Sequence, residues 1–272
     1  FFFQAEDGIR DCLLSPGLGD VYKRQHALSS NPFSGQLFDG EILHATGLGT
    51  NVPLSKLNGG RPFVLLDACE ETPTVDAVNF PNEEAERAAM QHLIDRGCRN
   101  IAIVGHRFAP RADLAHAQNA FALRLRGACG ALSDAGLPYD ESMVFEAGDV
   151  ANGIIAGHAI AERILAARSG HGGTEFDGAC CANDFAAFGV IRGLADRGLR
   201  VPQDVKVIGF DGVTSGSYTT PALSTIQVDF TQLAKFSVDM LSERIDHGTD
   251  EALPPRRAII GYQLVDREST AV

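Results

Sequence analysis

The sequence predicts an α/β fold in which helices wrap a parallel sheet, and two observations support this. The same joint recurs in 93–105, 132–148 and 194–212: a helical run stops at a glycine and a buried strand begins a few residues later. Glycine is the usual left-handed stop of a helix. From residue 36 onward, short apolar runs alternate with longer amphipathic ones, as in α/β proteins. No repeat of fixed period accompanies this alternation, which excludes a solenoid.

Each predicted element follows from its local pattern. Short apolar runs predict strands, and apolar residues at helical spacing predict helices. The predicted strands cover 38–45, 63–68, 101–106, 143–148, 178–184, 205–211 and 259–268. The predicted helices cover 83–97, 118–136, 152–169, 185–198 and 231–248.

The composition limits the class of protein. A chain of 272 residues that is 44% hydrophobic can bury a large core in one domain or two lobes. The formal net charge of −12 repels nucleic-acid phosphates, so we do not expect the chain to bind DNA or RNA by itself. No apolar run reaches the roughly 18–20 residues of a membrane-spanning helix, so we expect no membrane association. The six cysteines lack CxxC and metal-ligand spacings, which favours buried thiols in a reducing compartment.

The first 25 residues differ from the rest of the chain. The segment FFFQAEDGIRDCLLSPGLGDVYKRQ shows neither helical nor strand periodicity, and it lacks the apolar core of a signal peptide. It resembles the translated sequencing-adapter read-through that contaminates the ends of metagenomic open reading frames. We therefore expect residues 1–25 to be a non-native segment and the native protein to extend upstream of His26.

Polar residues follow three of the predicted buried strands, at the point where each strand ends. They are Gly105-His106, Asn183-Asp184 and Asp211-Gly212. In an open parallel sheet, ligands bind beyond the carboxyl ends of the strands. Asp211 would then face a crevice, with Gly212 turning the backbone away. The alternative is that Asp211 caps the next element or a neighbouring loop, and the strand alone does not separate the two.

Four segments together resemble the effector-binding core of the LacI/GalR (lactose-repressor/galactose-repressor) transcription regulators. They are EEAERAAMQHLIDRGCRNIAIVG, CANDFAAFGVIRGLADRGLRVPQDVKVIGFDG, SYTTPALSTIQVDF and LVDREST. This resemblance, from about Phe38 to Thr270, implies a type I periplasmic-binding-protein-like fold. Such a fold has two lobes, each a parallel sheet flanked by helices, with a ligand cleft between them.

The resemblance also implies how the chain divides between the lobes. Crossings near His106, Asp229 and 255–260 give an N-terminal lobe of 26–106 plus 229–257 and a C-terminal lobe of 107–228 plus 258–272. The family's helix-turn-helix, hinge helix and first strand–helix–strand unit have no counterpart in the chain. We therefore expect an incomplete N-terminal lobe, in which FDGEIL forms an exposed apolar edge.

Three residues match the family's polar cleft residues: Arg124, Asn183 and Asp211. A guanidinium donates paired hydrogen bonds to neighbouring oxygens and a carboxylate accepts from two hydroxyls, so with an amide they would clamp a polyol. Alternatives remain, because Arg124 can be a surface arginine paired with an acid, and Asn183 can cap the following helix. Three further positions line the cleft in relatives: Glu84, Val228 and Phe230. For Phe230, a core or hinge role is the alternative.

The function implied by the resemblance is that of a sensor domain for a sugar or a related polyol or nucleoside, in a cytoplasmic transcription regulator. It would form a homodimer and contact DNA only through the missing N-terminal domain. The alternative is a periplasmic sugar-binding protein of an ABC transporter. An enzyme is not expected, since GVTSG (212–216) is not GxSxG and TGLGT (46–50) lacks a phosphate-loop lysine. The histidines form no metal-binding pair, and no cofactor is predicted.

Overall fold

The computed structural model describes residues 39–45, 61–70, 72–146, 153–169, 176–247 and 253–271. Residues 1–25, for which a non-native origin was predicted, lie outside these ranges. The strands within them are β1 (Glu41–His44), β2 (Phe63–Leu66), β3 (Ala77–Asn79), β4 (Ile101–Val104), β5 (Val144–Phe145), β6 (Gly178–Cys181), β7 (Lys206–Asp211), β8 (Ser224–Val228), β9 (Arg257–Ile259) and β10 (Tyr262–Val265). The α-helices are α1 (Asn82–Asp95), α2 (Arg111–Leu114), α3 (Ala120–Asp134), α4 (Gly153–Ser169), α5 (Asp184–Asp196) and α6 (Phe230–His247).

The chain divides into two compact units. The first contains the described residues up to Asn79 together with Phe230–Ile259, and the second contains Phe80–Asp229 and the residues from Ile260 onward. The first crossing therefore lies at Asn79–Phe80 and not near His106, which corrects the predicted boundary. The physical reason is that α1 packs against α3 and β4 pairs with β6, so residues 80–106 complete the second unit.

The first unit is built on a parallel sheet of order β1-β2-β3-β9, with α6 packed against β1, β2 and β3. Within the described residues β1 is an end strand of this sheet, and its Ile42 is buried. A buried carboxylate, Asp76, joins the three chain segments of this unit. It accepts from the Nε and Nη2 atoms of Arg244 on α6 at 3.0 and 2.8 Å. It also accepts from the backbone N and Nη2 of Arg256, which precedes β9, at 2.8 and 3.0 Å.

The second unit is built on a sheet of order β10-β8-β7-β6-β4-β5. All neighbouring pairs are parallel except β10 and β8. The chain leaves β4 through α3 to reach β5 on one side, and it then continues from β6 to β8 on the other side. The strand order therefore reverses between β4 and β6, which is the place where α/β sheets of this kind bind ligands.

Helices cover both faces of the second sheet, as the alternation of side chains along β6 shows. Cys180 contacts Glu86 of α1, whereas the neighbouring Cys181 packs in the cluster that contains residues of α4 and α5. Close helix packing requires glycine: a Cβ at Gly127 of α3 would lie 2.1 Å from the Glu83 carbonyl oxygen of α1. The repeated glycine-terminated helices thus flank a parallel sheet, which confirms the predicted fold class.

Two predicted strands differ from the structure. The segment 259–268 was predicted as one strand, but it contains the end of β9 in the first unit and β10 in the second, because the chain crosses between units at Ile259–Ile260. Within the described part of the segment 143–148, residues 143–146, the strand is the two-residue β5, preceded by the 3-10 turn Glu141–Met143. The strands β3 and β8 and the short helix α2 were not predicted.

Candidate functional site

The candidate site lies at the carboxyl ends of β4, β6 and β7, where the strand order of the second unit reverses. Gly105 leaves β4 with φ +93°, and a Cβ there would lie 2.8 Å from the Ala182 Cβ that follows β6. The ends of β4 and β6 adjoin because the two strands pair, and a glycine at 105 allows the chain to turn there without a clash with Ala182. Because β4, β6 and β7 are parallel neighbours, the side chains that follow them lie at one edge of the sheet.

Arg124 reaches this edge from α3 and is held there on four sides. Its guanidinium lies over the ring of Phe210, with Cζ 3.6 Å from the ring centroid. Its Nε donates to Asn82 Oδ1 at 2.8 Å and its Nη1 donates to the Ala182 carbonyl oxygen at 2.5 Å. Nη2 lies 4.0 Å from Asp211 Oδ1. Arg124 is only 7% exposed, so the alternative of a surface arginine is wrong.

Asp211 ends β7 in an unusual backbone conformation. Its φ is +108°, a region that favours glycine, and Gly212 follows with φ +78°. The side chain remains 27% exposed. It therefore combines a position beside the buried Arg124 with access from outside the protein. A guanidinium and a carboxylate arranged in this way can donate to and accept from adjacent hydroxyl groups of one ligand.

Asn183 follows β6 and caps α5, since its Oδ1 accepts from the Ala186 backbone N at 2.8 Å. Asn183 therefore caps the following helix, which is the alternative that the sequence left open. The cap uses the amide oxygen and does not involve the Nδ2 group. The residue is half-buried and sits at the same strand edge as Ala182. Any contact of Asn183 with a ligand would come from an amide whose orientation is fixed by the helix.

Glu84, Val228 and Tyr262 form a second group in the same unit. Glu84 lies in the first turn of α1, two residues after Asn82, and its Oε1 accepts from the Tyr262 hydroxyl at 3.3 Å. Tyr262 on β10 pairs directly with Val228 on β8, and Val228 is buried. Burial and the neighbouring Glu84 carboxylate raise the pKa of Tyr262. Tyr262 is thus a neutral phenol beside an exposed carboxylate.

His106 does not project into the site as the pattern of strand ends suggested. It is 1% exposed, its Nδ1 donates to the Phe121 carbonyl oxygen at 3.2 Å, and its Nε2 lies 3.8 Å from Glu86 Oε1. Cys180 donates its thiol to the same Glu86 oxygen at 3.3 Å. Burial and then Glu86 raise the pKa of the Cys180 thiol well above its usual range, so this thiol is not a nucleophile. The cluster is an interior polar network beneath the sheet edge.

A pocket of about 580 Å³ lies at the opposite edge of the sheet, near Lys206 at the start of β7. Glu268 lines it, but this carboxylate already accepts from the Ala222 backbone N at 2.8 Å. This pocket lies at the amino ends of the parallel strands, whereas α/β sheets of this kind bind ligands beyond the carboxyl ends. In the described part of the chain, no three His, Cys, Asp or Glu side chains are grouped to hold a metal ion. None of the helices described is long and apolar enough to cross a membrane.

Comparison with known proteins gives the family. Residues 90–270 match the family model described as a periplasmic binding protein-like domain. The structure is similar to that of a LacI-type transcription regulator from Bifidobacterium animalis subsp. lactis DSM 10140, with 30% sequence identity, a TM-score of 0.73, and coverage of 91% of this chain and 84% of that chain. The chain belongs to the LacI family.

Two further relatives of this LacI-family chain bear on its function. The HTH-type transcriptional repressor PurR of Aliivibrio fischeri (strain ATCC 700601 / ES114) is 30% identical over 228 residues, which is 84% of this chain and 63% of the relative. The chain thus spans less than two thirds of the length of the curated relatives that it matches. A complex of the transcriptional regulator CelR with cellobiose is 27% identical, with a TM-score of 0.72 and coverage of 92% of this chain and 70% of that chain. These relatives are transcription regulators, so the ABC-transporter alternative is not favoured.

The predicted site residues of the LacI-family chain fall into three places. Arg124 and Asp211 come together, with Asn183 at the adjoining strand end. Glu84 and Val228 are linked through Tyr262. Phe230 is the first residue of α6 and belongs to the first unit.

Sequence reasoning missed three residues that build the site: Asn82, Asp184 and Phe210. Asp184 was visible as the residue after Asn183, but its bonds to the turn after β7 were not. Asn82 and Phe210 had no signal, because only the folded structure shows that both contact Arg124.

Proposed function

We propose that the chain is the effector-sensing part of a bacterial transcription regulator and that it binds a neutral sugar or a related polyol. The observation that carries this proposal is the pair Arg124 and Asp211, a buried cation and a part-exposed carboxylate 4.0 Å apart at the strand-order reversal. A polyol can exchange its hydration for several fixed hydrogen bonds to such a pair. The complex of CelR with cellobiose supports the choice of a carbohydrate.

The remaining parts of the proposal concern the whole protein. A ligand that binds one conformation more tightly than another shifts the population between them, and this shift would alter DNA binding. DNA contact would come from a helix-turn-helix like that of the HTH-type relatives, in a homodimer, and the site of action would be the cytoplasm. The PurR relatives are repressors, which supports a sensing role without catalysis.

Isothermal titration calorimetry with cellobiose and ribose tests the ligand class. We expect Arg124→Ala and Asp211→Ala each to weaken the affinity of the sugar that binds by about 10- to 100-fold, because a charged hydrogen bond contributes about 1.5–3 kcal/mol. Arg192→Ala is the matched control, since this arginine is 72% exposed and lies on α5 in an i,i+4 pair with Asp196. Unchanged affinity in both site variants, with native circular dichroism, would refute the proposal.

A further inference from the structure

Asp184 is a fully buried carboxylate whose two oxygens hold the turn that follows Asp211. It is the first residue of α5 and has no exposed surface. Its Oδ2 accepts from the Val213 backbone N at 2.7 Å, and its Oδ1 accepts from the Thr225 hydroxyl at 2.6 Å. The Gly212 backbone N–H is a further donor to this carboxylate. A single side chain on α5 thereby fixes the end of β7 and joins it to β8.

The backbone around Asp184 is shaped to receive its carboxylate. A Cβ at Gly209 would lie 2.2 Å from Asp184 Oδ1, so only glycine permits this approach from β7. A Cβ at Gly212 would lie 2.6 Å from Gln227 on β8. Between these two glycines, Asp211 is held at φ +108°, a conformation that an aspartate adopts only when its surroundings enforce it. Asp184 supplies the hydrogen bonds that enforce it.

We propose that Asp184 is a positioning residue for the ligand site, which in its ionised form holds the 211–213 turn and thereby aims the Asp211 carboxylate at the ligand. This inference rests on the proposed function, because it assigns a purpose to the conformation of a proposed ligand-binding residue. Asp184 itself would not touch the ligand. Its contribution would be to make Asp211 available in one geometry, so that the ligand does not have to order the turn.

The positioning role predicts a pH dependence of ligand binding. Burial raises the pKa of Asp184 to about 6, although the bonds from Thr225 and the turn and the charge of Arg267 act to lower it. The buried thiol of Cys181 on β6 also interacts with Asp184, and burial raises the pKa of this thiol well above its usual range. As the pH falls through about 6, Asp184 is protonated, its bonds to the turn weaken, and the affinity for the ligand decreases.

The test is calorimetric titration of cellobiose and ribose into the whole chain between about pH 5 and pH 8. For the wild type, we expect about tenfold weaker affinity at pH 5 than at pH 8. Asp184→Asn should bind weakly and without this dependence, because an amide has a single acceptor oxygen and cannot accept at both positions, from the turn and from Thr225. Thr225→Val removes one donor to the carboxylate, so the midpoint of the profile should move upward by about one pH unit. Asp134→Asn, on the exposed end of α3, is the matched control and should follow the wild type.

A second readout keeps the inference separate from the proposed function. The amide ¹⁵N–¹H resonance of Val213 reports the bond to Asp184 without any ligand, and it should titrate near pH 6 in the wild type but not in Asp184→Asn. A flat Val213 titration would overturn the positioning role. So would a sugar affinity that does not change with pH, or a Thr225→Val midpoint equal to that of the wild type. Absence of binding for both sugars, together with a normal Val213 titration, would overturn the sugar proposal and leave the link between Asp184 and the turn intact.

Discussion

Replacing Asp76 by asparagine should destabilise the first unit substantially. Asp76 is 2% exposed and accepts four hydrogen bonds, two from Arg244 and two from Arg256. An asparagine keeps one acceptor oxygen and turns an NH₂ group toward guanidinium N–H groups that cannot accept. The variant would therefore leave two arginines facing a donor in place of a charge.

Two estimates give the magnitude. Burial alone would raise the pKa of Asp76, but the bonds from Arg244 and Arg256 lower it from 3.8 to about 2, which corresponds to about 2.5 kcal/mol in favour of the ionised native state. Breaking a buried ion pair by removing one partner costs about 3–5 kcal/mol. We therefore expect Asp76→Asn to lose about 3 kcal/mol of unfolding free energy near neutral pH. This contribution is present above about pH 4 and disappears as the pH falls through about 2.

Urea denaturation followed by circular dichroism measures the loss, and hydrogen–deuterium exchange locates it. Peptides from α6 and β9 should exchange faster in the variant, because Asp76 ties these segments to β3. The control is Asp134→Asn, which removes an exposed partner of Arg87 and should change the stability by at most about 1 kcal/mol. If Asp76→Asn lost less than about 1 kcal/mol, or if faster exchange appeared only in the second unit, the argument from buried hydrogen bonds would be wrong.

Three other substitutions follow from the same structure. Gly127→Ala should lower the unfolding free energy by about 2 kcal/mol in a thermal melt, because the new Cβ would lie 2.1 Å from the Glu83 carbonyl oxygen, and an unchanged melting temperature would contradict this packing. Tyr262→Phe should cost less than about 1 kcal/mol in urea, since it removes a single 3.3 Å bond to the exposed Glu84; a loss above about 2 kcal/mol would show that this bond had been underrated. Burial raises the pKa of Asp184 to about 6, so the stability of the wild type relative to Asp184→Asn should fall by about 2 kcal/mol as the pH rises from about 4 to 6, and a constant difference would contradict its burial as a carboxylate.

The fold was predictable from the sequence because its signals are local. A glycine that ends a helix and the apolar strand that follows lie within a few residues of each other, so the segment 194–212 shows both. The partner of each element is not a local property. The apolar faces of 80–106 predict that α1 and β4 are buried, but not which sheet buries them, and this segment was assigned to the wrong unit. The apolar run at 259–268 likewise gives no sign that the chain crosses between units within it.

The sequence indicated some residues of the candidate site, but not its geometry. The family resemblance located Arg124 and Asp211, which are 87 positions apart by their numbers, and only the folded structure places Nη2 and Oδ1 4.0 Å from each other. The supporting residues are harder to predict, because a buried aspartate such as Asp184 looks in the sequence like any residue at the start of a helix. His106 shows the opposite error. The sequence pattern placed this polar residue at the candidate site, but in the structure it is buried beside Glu86 and Phe121.

The most direct test of the central claim is a crystal structure of the chain with cellobiose or ribose, whichever binds more tightly. The account predicts sugar hydroxyls within about 3.2 Å of both an Arg124 Nη atom and an Asp211 carboxylate oxygen, with the 211–213 turn unchanged. A sugar bound instead in the pocket beside Lys206, at the opposite edge of the sheet, would contradict it.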